Sequence, residues 1–86
     1  MNKKIIVHSE LNGRCYCVLP GERDLEEQFN IMLFGSEHGG GGVCARLDGK
    51  SLRVVDYFHD ETMASFNIIS IEDTDSEPIL NWIKIN

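Results

Sequence analysis

The sequence predicts an α+β domain in which one amphipathic helix packs on a largely antiparallel sheet, in the order ββαββββ. Three observations predict it. Asn12-Gly13 and Asp48-Gly49 each lie between runs of alternating apolar and polar residues, the signature of a tight hairpin. Between the two hairpins the apolar period lengthens to that of a helix. Finally, a chain of 86 residues has room for one compact unit, so 1–86 reads as a single domain without separate cofactor and substrate halves.

Each element follows from its residues. Lys3 to His8 carries the β-branched run Ile5-Ile6-Val7 and reads as a strand. Asn12-Gly13 is expected to form a type I′ turn, which needs positive φ at both central positions. Arg14 to Leu19 returns, with Cys15, Cys17 and Leu19 on one side and Tyr16 and Val18 on the other. Pro20-Gly21 ends that strand. Over 22–34, Leu25, Phe29, Met32 and Leu33 recur at i, i+4, i+7 and i+8, one face of a helix. Acidic residues crowd its first turns, where the helix dipole favours them, and Gly35 stands where a left-handed C-cap is wanted.

Ser36 to Gly42, with four successive glycines, reads as a connector with too much backbone freedom for a regular element. Val43 to Leu47 and Ser51 to Phe58 form the second hairpin around Asp48-Gly49, again with an expected type I′ turn. His59 to Thr62 is a polar turn. Met63 to Ile71 alternates as a long strand, and its phase slips between Phe66/Ile68 and Ile69/Ile71, which predicts a bulge or burial on both faces. Asp73 to Pro78 is an acidic turn. Ile79 to Ile85 is read as a final strand, with a short helix opened by Ser76 and Pro78 as the alternative.

Composition excludes several classes of function. A hydrophobic fraction of 42% with 26% charged residues is ordinary globular composition, not that of a disordered chain. No apolar stretch approaches the roughly 20 residues that span a bilayer. Ile5-Ile6-Val7 behind Lys3 and Lys4 is too short for a secretion signal, so a cytoplasmic location and no membrane partner are expected. Cys15, Cys17 and Cys44 are odd in number and are read as reduced thiols. With 14 acidic against 8 basic residues the formal net charge is −6, which argues against direct nucleic-acid binding and favours a basic partner.

No motif assigns a catalytic residue, a metal or a cofactor. Cys15 and Cys17 share a strand face, but structural zinc sites use C-x₂₋₄-C turns in matched halves, so core packing is the better reading. His38-Gly39-Gly40-Gly41 has the letters of an oxyanion-hole motif without the G-x-S-x-G elbow that motif serves. Gly49-Lys50-Ser51 resembles the end of a P-loop, yet the required earlier glycine is Cys44. His59-Asp60-Glu61 reads as a solvated turn, and the glycine loop lacks the basic neighbours that an anion cradle calls for.

The informative surface is the second face of the helix. Arg23, Glu26, Glu27 and Asn30 project there, with Glu22 and Asp24 close by, while Ile31 and Phe34 place apolar side chains among these carboxylates. An apolar anchor with an acidic rim is the anatomy of a binding hot spot; the competing reading is a solvated face with Ile31 packed on the neighbouring hairpin. Tyr57 is a further candidate anchor. Glu72, Asp73, Asp75 and Glu77 form a second acidic patch, and the positive charge of Lys3, Lys4, Arg46, Lys50 and Arg53 is expected elsewhere.

In general character (short, acidic, α+β, without a catalytic signature) the chain is similar to the inhibitor class of immunity proteins, antitoxins and phage-encoded blockers of defence nucleases. That resemblance implies a non-enzymatic protein that occludes a basic partner, such as a toxin or nuclease, with carboxylates standing where phosphates otherwise bind. Two alternatives come from other classes. One is a subunit that self-associates, as a homodimer for instance, through a sheet edge or the Trp82 strand. The other is a thiol or metal protein using Cys15, Cys17 and a histidine.

Overall fold

The computed structural model describes all 86 residues. Its elements are β1 (Asn2–Ser9), β2 (Gly13–Leu19), α1 (Leu25–Phe34), β3 (Val43–Asp48), β4 (Ser51–Asp56), β5 (Glu61–Thr74) and β6 (Ile79–Lys84), in the order ββαββββ. The strands form one six-stranded antiparallel sheet with spatial order β3-β4-β5-β1-β2-β6. At 14 residues, β5 is the spine: its C-terminal half pairs with β1 and its N-terminal half with β4.

The sheet's inner face carries Ile5, Val7, Cys15, Cys17, Leu19, Ala45, Leu52 and Ile68, all buried around Phe29 of α1. Trp82 of β6 reaches into the same core. Its ring stacks on Phe66 of β5 at 5.3 Å between centroids and lies 6.0 Å from Phe29. In a flat sheet β5 and β6, separated by two strands, would stand roughly 14 Å apart. Direct ring contact between them therefore requires the sheet to coil, bringing its two edges toward each other. The helix occupies the gap that remains and touches both β3 and β6.

Side chains of α1 complete the β3 edge. Asn30, buried in mid-helix, accepts from the Ala45 backbone N–H at 2.7 Å and donates from Nδ2 to the Ala45 carbonyl at 3.0 Å. Its amide thus makes the two bonds that a further strand would make. Glu26 Oε2 accepts from the Leu47 N–H at 2.9 Å. Val43 exchanges both backbone bonds with Gly40, at 2.9 and 3.2 Å. Every second residue of β3 is satisfied on its outer side without a neighbouring strand.

Several local expectations are corrected. The first hairpin is not a type I′ turn: Ser9 pairs with Gly13, the loop is Glu10 to Asn12, and only Gly13 takes positive φ. Ser9 Oγ accepts from the Asn12 N–H, giving the three-residue loop with a left-handed closing glycine. The second hairpin turns on Gly49 and Lys50, and positive φ falls on Gly49 alone, the type II′ sign pattern. The helix begins at Leu25 rather than Glu22 because Asp24 is its N-cap, its carboxylate accepting from the Glu27 N–H. The glycine loop is an ordered connector, folded back by the Gly40–Val43 bridge. The phase slip in β5 is a bulge at Ile69, where the register against β1 shifts between Ile6/Ser70 and Val7/Ile68.

Asn30→Ala strips the Ala45 N–H and carbonyl of their partners in a buried setting. At 1–3 kcal/mol for each orphaned group, the expected loss is about 2–6 kcal/mol. It should appear in urea unfolding as a lower midpoint at unchanged slope. A loss below about 0.5 kcal/mol, the scale of ordinary surface substitutions, would show that the edge does not need this cap.

Candidate functional site

The carboxylates singled out in the sequence fall into two groups. Leu19, the last residue of β2, is opposite Lys3, and Gly21 abuts Met1 and Lys3, so Glu22 and Asp24 follow from the end of the sheet where β1 begins. The acidic turn meets them there. Lys3 binds Asp73, Lys4 stands opposite Glu72, and Asn2 Nδ2 donates to the Ser76 carbonyl at 2.9 Å. Residues about 50 positions apart in the chain thus share one end of the molecule. The N-terminal lysines share it too, which corrects the expectation that positive charge lies elsewhere. Lys3, through its hydrogen bond and then its charge, holds the Asp73 carboxyl below the ordinary carboxylate range.

Some of these carboxylates already have partners within the chain. Asp24 caps the helix, Glu26 caps β3 and Asp73 pairs with Lys3. Glu22, Glu72, Asp75 and Glu77 are exposed. Glu27 is half-buried, as are Ile31 and Phe34, and Phe34 packs against the core. The helix's second face is therefore partly consumed by its seat on the β3 edge, and no apolar anchor stands clear upon it.

A clear anchor stands at the opposite end of β5, on the turn that joins β4 to it. Phe58 is 77% exposed and Tyr57 45%, with ring centroids 5.1 Å apart. Asp56 builds this turn. Its Oδ1 accepts from the Phe58 N–H at 3.0 Å and the His59 N–H at 3.2 Å, and its Oδ2 lies 2.9 Å from His59 Nδ1. The His59 side-chain bond, reinforced by these N–H groups, holds the Asp56 carboxyl below its usual range. The glycine loop supports the turn from below. The Gly42 carbonyl accepts from the Tyr57 N–H at 3.0 Å, and the Phe58 ring lies where a β-carbon on Gly42 would be. Gly40 in turn lies beside Phe34, so the glycine loop runs from the C-terminal end of α1 to the Tyr57 turn, whereas Ile31 lies one turn back along the helix. Exposed His59, Asp60 and Glu61 flank the rings, and Asp60 holds a left-handed φ of 54°.

Sequence reading passed over Phe58 by counting it as the last residue of a strand. The signal available was two adjacent aromatics at a hairpin tip, since neighbouring side chains point to opposite sides and one stays outside. Asn30, expected on the outward polar face, is instead buried against β3; the signal available was a helix-disfavouring residue in the middle of a helix.

The three thiols do not converge. Cys15 and Cys17 are buried on the inner face, whereas Cys44 neighbours Ala45 in β3 and so projects to the other face. No group of three or more His, Cys, Asp or Glu side chains stands close enough to hold a metal ion. No helix is long and apolar enough to cross a membrane. The chain matches no family model, no curated protein and no solved structure.

Burial pushes the Cys17 thiol up to about 12. The unfolded thiol ionises near 9.0, so this group contributes stability that is fully present below that pH and lost as pH rises toward 12. Urea midpoints should fall progressively above pH 9, and Cys17→Ala should flatten that decline; an unchanged slope refutes it. Asp56 acts in the opposite direction. Its contribution is present above about pH 4 and is lost as pH falls through its lowered folded value. Carbon-detected titration should place its midpoint below 3.8, the ordinary aspartate value, and Asp56→Asn should loosen the Phe58 and His59 amides to hydrogen exchange. A midpoint at or above 3.8 would remove the cap from the account of this turn.

Proposed function

We propose that this chain is a non-catalytic, acidic protein-binding inhibitor that occludes a basic partner, such as a toxin or nuclease, and that the Tyr57–Phe58 turn anchors the contact. The observation that carries the reading is a large aromatic side chain held outside the fold on a turn that is itself rigidly built. Exposed aromatics normally lose freedom on binding; here two backbone bonds to Asp56, a bond to the Gly42 carbonyl and the Tyr57 ring tilted against Phe58 have already restricted it. Asp60 and Glu61 supply the rim beside the rings, in keeping with a partner that presents Lys or Arg to both carboxylate and aromatic face.

The second acidic group, at the far end of β5, serves a different purpose in this reading. Glu22, Glu72, Asp75 and Glu77 act at long range, raising the encounter rate with a basic surface without forming the central contact. The net charge of −6 acts in the same sense.

The test is affinity capture from native host lysate at low and high salt, with purified partner then used for binding kinetics. A basic protein held near stoichiometrically is expected. Phe58→Ala should weaken it about 30-fold or more, the hot-spot range of 2 kcal/mol and above. Glu72→Lys with Glu77→Lys should slow association and reduce its salt dependence while leaving dissociation nearly unchanged. Gly42→Ala, which keeps the ring but displaces it, should weaken binding as well. Unaltered affinity in both Phe58→Ala and Gly42→Ala removes the anchor, and capture of no basic protein removes the inhibitor reading itself.

A further inference from the structure

The face of the sheet turned away from α1 has the opposite charge from the chain as a whole, whose net −6 would by itself disfavour a polyanion. Directly opposite residues in paired strands share a face, so the registers assemble this outer face row by row. One row runs Arg46, Arg53, Ser65 across β3, β4 and β5. The next runs Asp48, Ser51, Asn67, His8, Arg14 from β3 to β2. Lys4 lies further along the same face, over the Tyr16 ring at 4.8 Å to its centroid and opposite Glu72. Of the chain's 8 basic and 14 acidic residues, this face holds four basic and only two acidic, so it is net positive.

Arg46 and Arg53 face each other directly across β3 and β4. Like charges so placed repel and cost stability, because their Cβ atoms lie only about 5 Å apart. Neither guanidinium pairs with a carboxylate, and the one polar side-chain contact of either is Arg53 Nη1 donating to Thr62 Oγ1 at 3.4 Å. Arg14, at the far end of the next row, has no carboxylate partner either. Arg46 and Arg14 are exposed, as are Ser65, Asn67 and His8 between them. An oxyanion over Arg46 and Arg53 turns their repulsion into charge-assisted hydrogen bonds. From β3 to β2 there are four strand spacings, roughly 19 Å in all, so a single ion reaches one end whereas a polymer with repeated charges reaches both. The face also lacks the apolar centre of a protein contact, since Ile6 and Tyr16 are half-buried and Lys4 overlies the ring. Polar, positive surfaces of this kind suit nucleic acid better than protein.

We propose that the outer face of the sheet binds the phosphodiester backbone of a single-stranded nucleic acid, which crosses from the Arg46–Arg53 pair to Arg14. The paired guanidiniums hold one phosphate and Arg14 another, with Ser65, Asn67 and His8 offering hydrogen bonds between them. The sheet coils around α1, so this face is convex. A duplex, stiff over about 150 base pairs, meets a convex face along a short stretch only, whereas a single strand bends to follow it. No free aromatic ring stands on the path, so the contact is to the backbone and independent of base sequence. The site uses neither the Tyr57–Phe58 turn nor the acidic end of the molecule, so it stands or fails separately from the inhibitory contact.

The test uses the full chain and fluorescein-labelled dodecamers of deoxythymidine and of uridine, with anisotropy followed from about 20 to about 200 mM salt. Both strands should bind, within about twofold of each other, because the contacts are to phosphate. Three cationic contacts at about −0.7 each should give a slope of log affinity against log salt near −2. Arg46→Gln combined with Arg53→Gln should weaken binding at least about tenfold and bring the slope to about −0.7. Arg14→Gln should weaken it several-fold, whereas Arg23→Gln, whose residue pairs with Glu37 away from this face, should leave it unchanged. Because the two opposed arginines repel, replacing them should leave the urea midpoint unchanged or higher, which separates lost binding from lost folding. Any of four results would overturn the proposal: no binding of either strand at low salt, undiminished binding by the double variant, tighter binding of a duplex of the same length, or full competition by inorganic phosphate at matched phosphate concentration. The last would reduce the face to a single-ion site.

Discussion

The pairing of Asn30 with Ala45 is the constraint on which this architecture rests. An antiparallel sheet that ends in an uncovered strand presents a row of N–H and carbonyl groups to solvent or to another chain. Here one buried amide side chain closes that row, and Glu26 and Gly40 extend the closure along β3. The two bonds also fix where α1 sits. With its polar residues tied to β3, the helix directs Phe29 to the interior, where the ring meets Trp82 from the opposite edge of the sheet. The position of the helix and the inward direction of Phe29 are two consequences of one contact.

That arrangement decides which surfaces are free. A helix lying flat on a sheet would have exposed an entire polar face with its carboxylates. A helix seated in the seam between β3 and β6 spends part of that face on the fold, and Glu26 and Asn30 become structural. The long spine of β5 then separates what remains into two ends, one acidic and one aromatic. The carboxylates of Glu22, Glu72, Asp75 and Glu77 and the rings of Tyr57 and Phe58 are thus spatially divided. In the proposed reading, such a division lets association and residence be tuned by different residues.

The glycine loop shows how local freedom serves a fixed geometry. Read alone, successive glycines describe a slack connector. In the fold, Gly42 is buried under the Phe58 ring and its carbonyl holds the Tyr57 N–H, so a small residue is needed for close approach and not for motion. The same loop supplies Gly40 to the β3 edge. One segment therefore serves both the closure of the sheet and the presentation of the aromatic turn.

What the sequence determined by itself is local and periodic. The order ββαββββ, the inner-face residues Cys15, Cys17, Leu19 and Phe29, the left-handed cap at Gly35 and the phase slip near Ile69 in β5 all follow from period, propensity and turn chemistry within about ten residues, whereas the second bulge of β5, at Met63, does not. What only the tertiary structure decided is non-local. Nothing in the neighbourhood of Asn30 names Ala45 as its partner, because side chain-to-edge bonding depends on how β3 arrives beside the helix from 15 residues away. The same holds for Trp82 on Phe66, for Lys3 on Asp73, and for the exposed edge beside Ser65, which exists because the β1–β5 pairing ends at His8–Asn67, two pairs short of it. Periodicity specifies which side of an element is apolar; the coil of the sheet specifies what that side, and the other, will meet.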